Sequence, residues 1–235
     1  KKRLGIKSLS FNKLNIEKWL LVNFKINVLP KTHIVDRYFE GINSLGVTND
    51  RQGLDYFEVS RIKDKSLLSN DTPKKFIVFA LAGTYFTKKI PFKKWSEMLS
   101  LSPLPIVLLG GDTEKELGER LKREGIKQSI LNLCGAISLN ESAAYIRKSE
   151  MVVTGDTGLM HIAAACQRKV VSLWGNTVPE FGMSPYIPQK TDNIRVIENK
   201  NLSCRPCSKL GYSKCPKGHF DCMMKLDLSN VFLQI

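Results

Sequence analysis

The chain has no apolar run approaching the roughly 18 residues that a membrane-crossing helix requires. Its basic start, Lys1-Lys2-Arg3, is not followed by a signal-peptide core. Together these absences predict a cytosolic protein. There is no internal repeat, which excludes a solenoid, and no low-complexity linker, which argues against loosely tethered modules. No loop carries the glycine pattern of a dinucleotide fold or the phosphate loop of an ATPase, so neither of those nucleotide-binding modes is expected. Acidic residues are scarce: 22 Asp and Glu stand against 36 Lys and Arg, a net charge of +14. The scarcity is sharpest over residues 1–31, where Glu17 is the single acid among eight basic residues. A chain so charged is drawn to something anionic: nucleic acid, an acidic membrane surface or a phosphorylated substrate.

What is present falls into two rhythms. Over residues 1–60, apolar residues recur at helical spacing. One helix is predicted from about Leu14 to Leu29, stopped by Pro30, with Leu14, Trp19, Leu20, Phe24 and Val28 on its inner face. A second is predicted from about Ile34 to Leu45, with Ile34, Val35, Tyr38, Phe39, Ile42 and Leu45 inward and Gly46 ending it. Residues 61–74, polar and charged, are expected to be a linker. From Lys75 the pattern becomes strand–helix alternation: Phe76–Leu81, Pro105–Leu109, Ile130–Leu133, Glu150–Thr154 and Val170–Trp174 as buried strands. The intervening helices are expected over about Phe92–Leu101, Asp112–Glu124, Ser138–Arg147 and Thr157–Cys166. Such alternation predicts an α/β fold with a doubly wound parallel sheet over residues 75–200, binding its ligand at the carboxyl ends of the strands. Residues 201–235 form a cysteine-rich end and the start of a further helix.

The stretch Met151 to Cys166 carries the most information. A buried strand ends at Val153, a turn of Thr, Gly and Asp follows, and an alanine-rich run then favours helix. This geometry aims the first amide groups of that helix, at Thr157, Gly158 and Leu159, out of the sheet, where they and the helix dipole attract phosphate. Other loops at the same rim are Ala82–Lys89, Gly110–Glu114, Cys134–Ser138 and Trp174–Pro179. They offer a lysine for phosphate, carboxylates for ribose hydroxyls and small apolar residues for a flat base.

Thr84 with Lys88 before Pro91, Gly110-Gly111 with Glu114, and Asp156-Thr157-Gly158-x-x-His161 followed by Gly175-x-Thr177-x-Pro179 resemble the heptosyltransferase family, glycosyltransferase family 9. The resemblance implies a GT-B fold, two Rossmann-like domains facing one active site, and transfer of a heptose from ADP-heptose to a lipopolysaccharide core acceptor by inverting displacement. It implies that Gly83, Thr84 and Lys88 hold the donor diphosphate and that Thr157 and Gly158 bind phosphate through their amides. Glu114 would take the ribose, Ile137 would border adenine, and Asp156 would contact the sugar. His161 would either brace the loop or touch the ligand. Lys88 and Asp156 are the expected catalytic residues. The glycine-rich first turn whose Asp is the family's proposed general base has no counterpart here. Residues 1–60 are therefore expected to be the helical end of an acceptor domain that is otherwise missing.

Cys204-x-x-Cys207, Cys215, His219 and Cys222 bring five soft ligands into one segment. They are read as a structural zinc site using four of the five, with free thiols or disulfides as the alternatives. No cofactor is expected for catalysis. The acidic face of the inner membrane is an expected partner through Lys13, Lys18 and Lys25. Two other classes compete: a basic nucleic-acid-binding protein with a zinc knuckle, and a sugar-nucleotide epimerase. The first lacks interleaved aromatics and the second lacks paired carboxylates, so nucleic acid is not an expected partner.

Overall fold

A computed structural model describes residues 9–57, 70–125 and 129–233. The linker expected over 61–74 lies outside them as far as residue 69. Two short helices come first, α1 (Asn15–Phe24) and α2 (Ile34–Ile42). Six strands then alternate with helices: β1 (Ile77–Ala80), α3 (Phe92–Leu101), β2 (Ile106–Leu109), α4 (Lys115–Glu124), β3 (Ile130–Asn132), α5 (Leu139–Lys148), β4 (Met151–Gly155), α6 (Gly158–Ala165), β5 (Lys169–Trp174) and β6 (Ile194–Glu198). A single turn of helix, α7 (Asp221–Met224), lies near the end.

The strands form one sheet, parallel throughout, in the order β3-β2-β1-β4-β5-β6. This is the doubly wound order, and it reverses between β1 and β4. Strand residues alternate between two apolar layers. Ile77 and Phe79 pack with Trp95 and Met98 of α3, and with Met223 and Leu226 of the C-terminal segment. Val78 and Ala80 pack with Ala143 and Ile146 of α5 and Met160 and Ala163 of α6. Because both faces are covered, the central strands read as continuous apolar runs. Ser138 begins α5 with a capping box, its hydroxyl accepting from the Glu141 amide while Glu141 accepts from the Ser138 amide.

Three features differ from the sequence reading. The first helix stops at Phe24, not Leu29. Lys25 takes a left-handed conformation (φ 62°), and its ammonium donates to the carbonyls of Val22 and Pro206, at 2.7 and 2.8 Å. The inner faces differ too: Leu14 is buried as expected, but Trp19, Phe24, Tyr38 and Leu45 are at least half exposed, whereas Leu21 and Arg37 are buried. Finally, β6 was not anticipated. It is an edge strand, only half buried, and Arg195 and Glu198 interrupt its apolar pattern.

The helical segment docks on the rim of the sheet beyond β5. Leu21 packs with Val178 and Phe181. The Ile34 amide donates to the Gly182 carbonyl at 2.8 Å, and the buried Arg37 guanidinium donates to the Phe181 carbonyl at 2.9 Å. Gly182 has φ 79°, and a Cβ there would sit 2.8 Å from the Thr32 carbonyl. Only glycine fits so close an approach. His33 lies against Tyr186, with ring centroids 4.6 Å apart. Its Nε2 donates to the Ser184 carbonyl at 2.8 Å while Nδ1 accepts from the Val35 amide at 3.2 Å. These two bonds define a neutral tautomer.

Burial pushes the pKa of His33 below its ordinary value of 6.5. As pH falls through 6.5, the unfolded chain therefore gains a proton that the folded chain resists, and stability declines toward the lowered folded pKa. The thermal midpoint should fall between about pH 7.5 and pH 5.5, and more shallowly in His33→Asn; identical slopes would remove His33 as a contributor.

Candidate functional site

In doubly wound sheets the ligand crevice opens where the strand order reverses, outside the carboxyl ends of the strands. Here that point lies between β1 and β4. The loops leaving these two strands, Ala82–Lys88 and Asp156–Gly158, enclose a cleft of about 290 Å³. It is lined by Gly83, Thr84, Tyr85, Lys88, Asp156, Thr157, Gly158 and His161, together with Ala82. Seven of the residues named from the sequence thus share one cavity. Tyr85 is an addition that its position in the loop could have indicated.

The Lys88 ammonium and Asp156 carboxylate pair at 2.7 Å, their side chains 14% and 10% exposed. Thr177 Oγ1 donates to the same Asp156 oxygen at 2.9 Å. Thr157, the N-cap of α6, keeps its hydroxyl 3.1 Å from that of Thr154. Its side chain makes no cap bond, so the amino end of α6, where Thr157 and Gly158 line the cleft, has no side-chain cap. His161 follows one turn later and is half buried. Burial lowers its pKa below 6.5, with the Lys88 charge adding to that effect and the Asp156 charge opposing it. It is therefore neutral at pH 7.

The loop carrying Lys88 is fixed from behind. Thr87 is fully buried, and its hydroxyl accepts from the Tyr212 amide at 2.8 Å while its own amide donates to the Tyr212 carbonyl at 3.2 Å. Gly175 approaches so closely that a Cβ would sit 2.8 Å from the Thr87 carbonyl. Thr87 and Tyr212 are functional neighbours that sequence reasoning missed. Their bonding uses backbone groups 125 residues apart, which no local pattern reveals.

Glu114 and Ile137 do not line this cleft. They lie farther along the same rim, after β2 and β3. The Glu114 carboxylate, buried, accepts from the Gly111 amide at 3.1 Å, from the Thr113 hydroxyl at 2.8 Å and from Lys89 at 3.0 Å. Ile137 is partly buried against the layer formed by α5 and α6.

In the cysteine-rich segment the thiols of Cys204, Cys207, Cys215 and Cys222 lie close together, near enough that the neighbours help raise the pKa of Cys207 and Cys222. Among the described residues, no group of three or more His, Cys, Asp or Glu is placed to hold a metal ion. All six cysteines are free thiols. The Cys207 thiol donates to the Cys204 carbonyl, and His219 Nδ1 accepts from the Asp221 amide. Burial, reinforced by the neighbouring thiols, pushes Cys207 up to about 11 and Cys222 up to about 12. With no metal bound, both stay protonated at neutral pH.

The chain is similar to known proteins. A family model for glycosyltransferase family 9 (heptosyltransferase) matches residues 6–214. Lipooligosaccharide heptosyltransferase 2 of Haemophilus influenzae is 34% identical over 123 residues, covering 51% of this chain and 35% of the relative. Lipopolysaccharide heptosyltransferase 2 of Salmonella typhimurium is 30% identical over 166 residues, covering 66% and 44%. Among solved structures, the E. coli heptosyltransferase WaaC with ADP superposes with a TM-score of 0.55 at 27% identity, covering 73% of this chain and 52% of that one. The chain spans between about a third and a half of the length of these curated relatives. With the motif residues lining a cleft at the switch point, and a family match over most of its length, the chain belongs to glycosyltransferase family 9.

Proposed function

We propose that this chain carries the donor-binding half of a heptosyltransferase, which transfers heptose from ADP-heptose to a lipopolysaccharide core acceptor. The observation that carries the reading is the Lys88–Asp156 pair, set against the amino end of α6 at the sheet's switch point. A relative solved with ADP supports the choice of nucleotide.

In this reading the diphosphate occupies the cleft between Gly83-Thr84 and Thr157-Gly158. Gly83 lets the backbone approach, Thr84 offers a hydroxyl, and the α6 amides supply donors that need no reorganisation. Adenosine extends along the rim past β2 and β3, toward Glu114 and Ile137. The carboxylate of Glu114 shapes the ribose end while tied to Lys89 and Gly111. Asp156 faces the transferred sugar and, in the free site, holds the Lys88 ammonium in place.

The acceptor oxygen attacks the anomeric carbon as the bond to the diphosphate oxygen breaks, inverting that carbon. Negative charge grows on the departing diphosphate. Lys88 and the α6 amides meet that charge where it develops, so they stabilise the transition state more than the ground state. Such neutralisation requires no cofactor. Removal of the acceptor proton is not assigned to a residue of this chain.

The acceptor is a phosphorylated lipid of the inner leaflet. An anionic membrane surface fits the exposed Trp19 and Phe24, whose rings meet edge to face at 5.2 Å, and the exposed Lys13 just before α1. Lys18 and Lys25 contribute less freely. The first lies 6.0 Å from the Phe181 ring centroid, and the second is tied to backbone carbonyls.

ADP should raise the thermal midpoint more than UDP or GDP at equal concentration; equal shifts would overturn the adenine assignment. Lys88→Ala should weaken ADP binding by at least about tenfold through loss of a charge-assisted contact, measured by titration calorimetry. Unchanged affinity would remove Lys88 from the site. Vesicles of phosphatidylglycerol should sediment the chain in low salt and phosphatidylcholine vesicles should not, with Trp19→Ser and Lys13→Glu together reducing the bound fraction. Equal binding to both lipids would end the membrane reading.

A further inference from the structure

The turn after β5, Gly175-Asn176-Thr177, supplies the hydroxyl that holds Asp156. The turn does not stabilise itself. The Asn176 side chain is buried, and neither its amide nitrogen nor its oxygen has a hydrogen-bond partner. A buried amide left in this way disfavours the conformation that buries it. Something else must hold the turn.

The grip comes from the cysteine-rich segment, and Arg205 is at its centre. Its side chain is 4% exposed and pairs with Glu198, at the end of β6, at 2.7 Å. The same guanidinium donates to the carbonyls of Gly175 and Thr177, the latter at 3.0 Å, and to that of Asn199 at 3.0 Å. Two residues on, the Cys207 amide donates to the Asn176 carbonyl at 3.1 Å. Three successive carbonyls of the turn are thus held by residues 205 and 207. A planar fork of five donors can serve four acceptors at once, which a lysine ammonium on a single flexible stem cannot do in the same geometry. Glu198 balances the buried charge and fixes the orientation of the fork.

We propose that Arg205 is a positioning residue for the transfer reaction. Through the Gly175–Thr177 turn it sets the Thr177 hydroxyl, the hydroxyl sets Asp156, and Asp156 sets the Lys88 ammonium. The cysteine-rich segment then serves as a rigid backing for the diphosphate cleft. Its Tyr212 holds the Lys88 loop from one side and its Arg205 holds the Asp156 partner from the other. The inference rests on the reading of the Lys88–Asp156 cleft as the diphosphate site.

A double-mutant cycle with ADP as the probe tests it, using calorimetry on the whole chain. Arg205→Met should weaken ADP binding at least about fivefold when Lys88 is present and less than about twofold in a Lys88→Ala background, because the two act as one unit. Equal losses in both backgrounds would show that Arg205 serves the fold and not the cleft, and would overturn the proposal. Hydrogen exchange on the ligand-free chain gives an independent arm. Arg205→Met should speed exchange in residues 175–178 and also in 156–161, leaving β1 and α3 unchanged. A change confined to 175–178, or spread over the whole sheet, would equally overturn it. If Arg205→Met does not fold, Glu198→Gln keeps the shape of the pair while removing its charge, and the same two readings apply to it. If the unsubstituted chain does not bind ADP, the nucleotide reading fails on its own, and the exchange arm still decides whether Arg205 reaches Asp156.

Discussion

An ammonium and a carboxylate held 2.7 Å apart at the switch point of a parallel sheet impose a requirement on everything around them. Both groups are largely withdrawn from water, and their mutual attraction only partly offsets that desolvation. Such a pair is a poor way to stabilise a fold. It is a good way to hold a cation in place before an anion arrives. The loops bearing Lys88 and Asp156 must then be rigid. A lysine free to swing would lose rotamer entropy on binding and weaken the contact.

The rigidity comes from parts of the chain far from the cleft in sequence. Thr87 is buried and bonded in both directions to the backbone of Tyr212. Gly175 lies against the Thr87 carbonyl with no room for a side chain. Thr177 carries the Asp156 contact, and its own carbonyl is held by Arg205. Two loops of the sheet and one irregular C-terminal segment thus form a single packed unit. The buried charges of this segment are those of Arg205 and Glu198, which pair at 2.7 Å.

Local signals made most of the sheet domain legible. The helix expected over Phe92–Leu101 has those bounds, and Ser138 caps α5 as its spacing with Glu141 implies. The central strands are buried on both faces, so their apolar runs stand out. The edge is different. β6 is half exposed and carries Arg195 and Glu198, which blurs the pattern that marks a strand. The amino-terminal helices misled for a related reason. Their apolar spacing is real, but Trp19, Phe24 and Tyr38 face outward while Arg37 is buried against the Phe181 carbonyl. Periodicity identifies an apolar face without saying what covers it. For the cleft, the strand-end loops named the residues that line it. The supports behind it were invisible, because Thr87–Tyr212 and Arg205–Thr177 are bonds to backbone atoms and leave no mark on residue type.

The protonation of His161 decides how charge is divided in the cleft. The ring sits one turn into α6, beside a carboxylate that favours its cation and a lysine that disfavours it. Burial, with the lysine acting in the same direction, outweighs the carboxylate, and the ring is neutral at pH 7. A neutral imidazole adds no cation to the site, so in the proposed donor-binding reading Lys88 is the cation that would meet a diphosphate. This division has a kinetic consequence. A permanently cationic histidine would hold the anionic product after transfer as firmly as it held the donor. In the proposed reading, a single ammonium already paired with Asp156 would meet departing charge and would have that partner to return to when the product leaves.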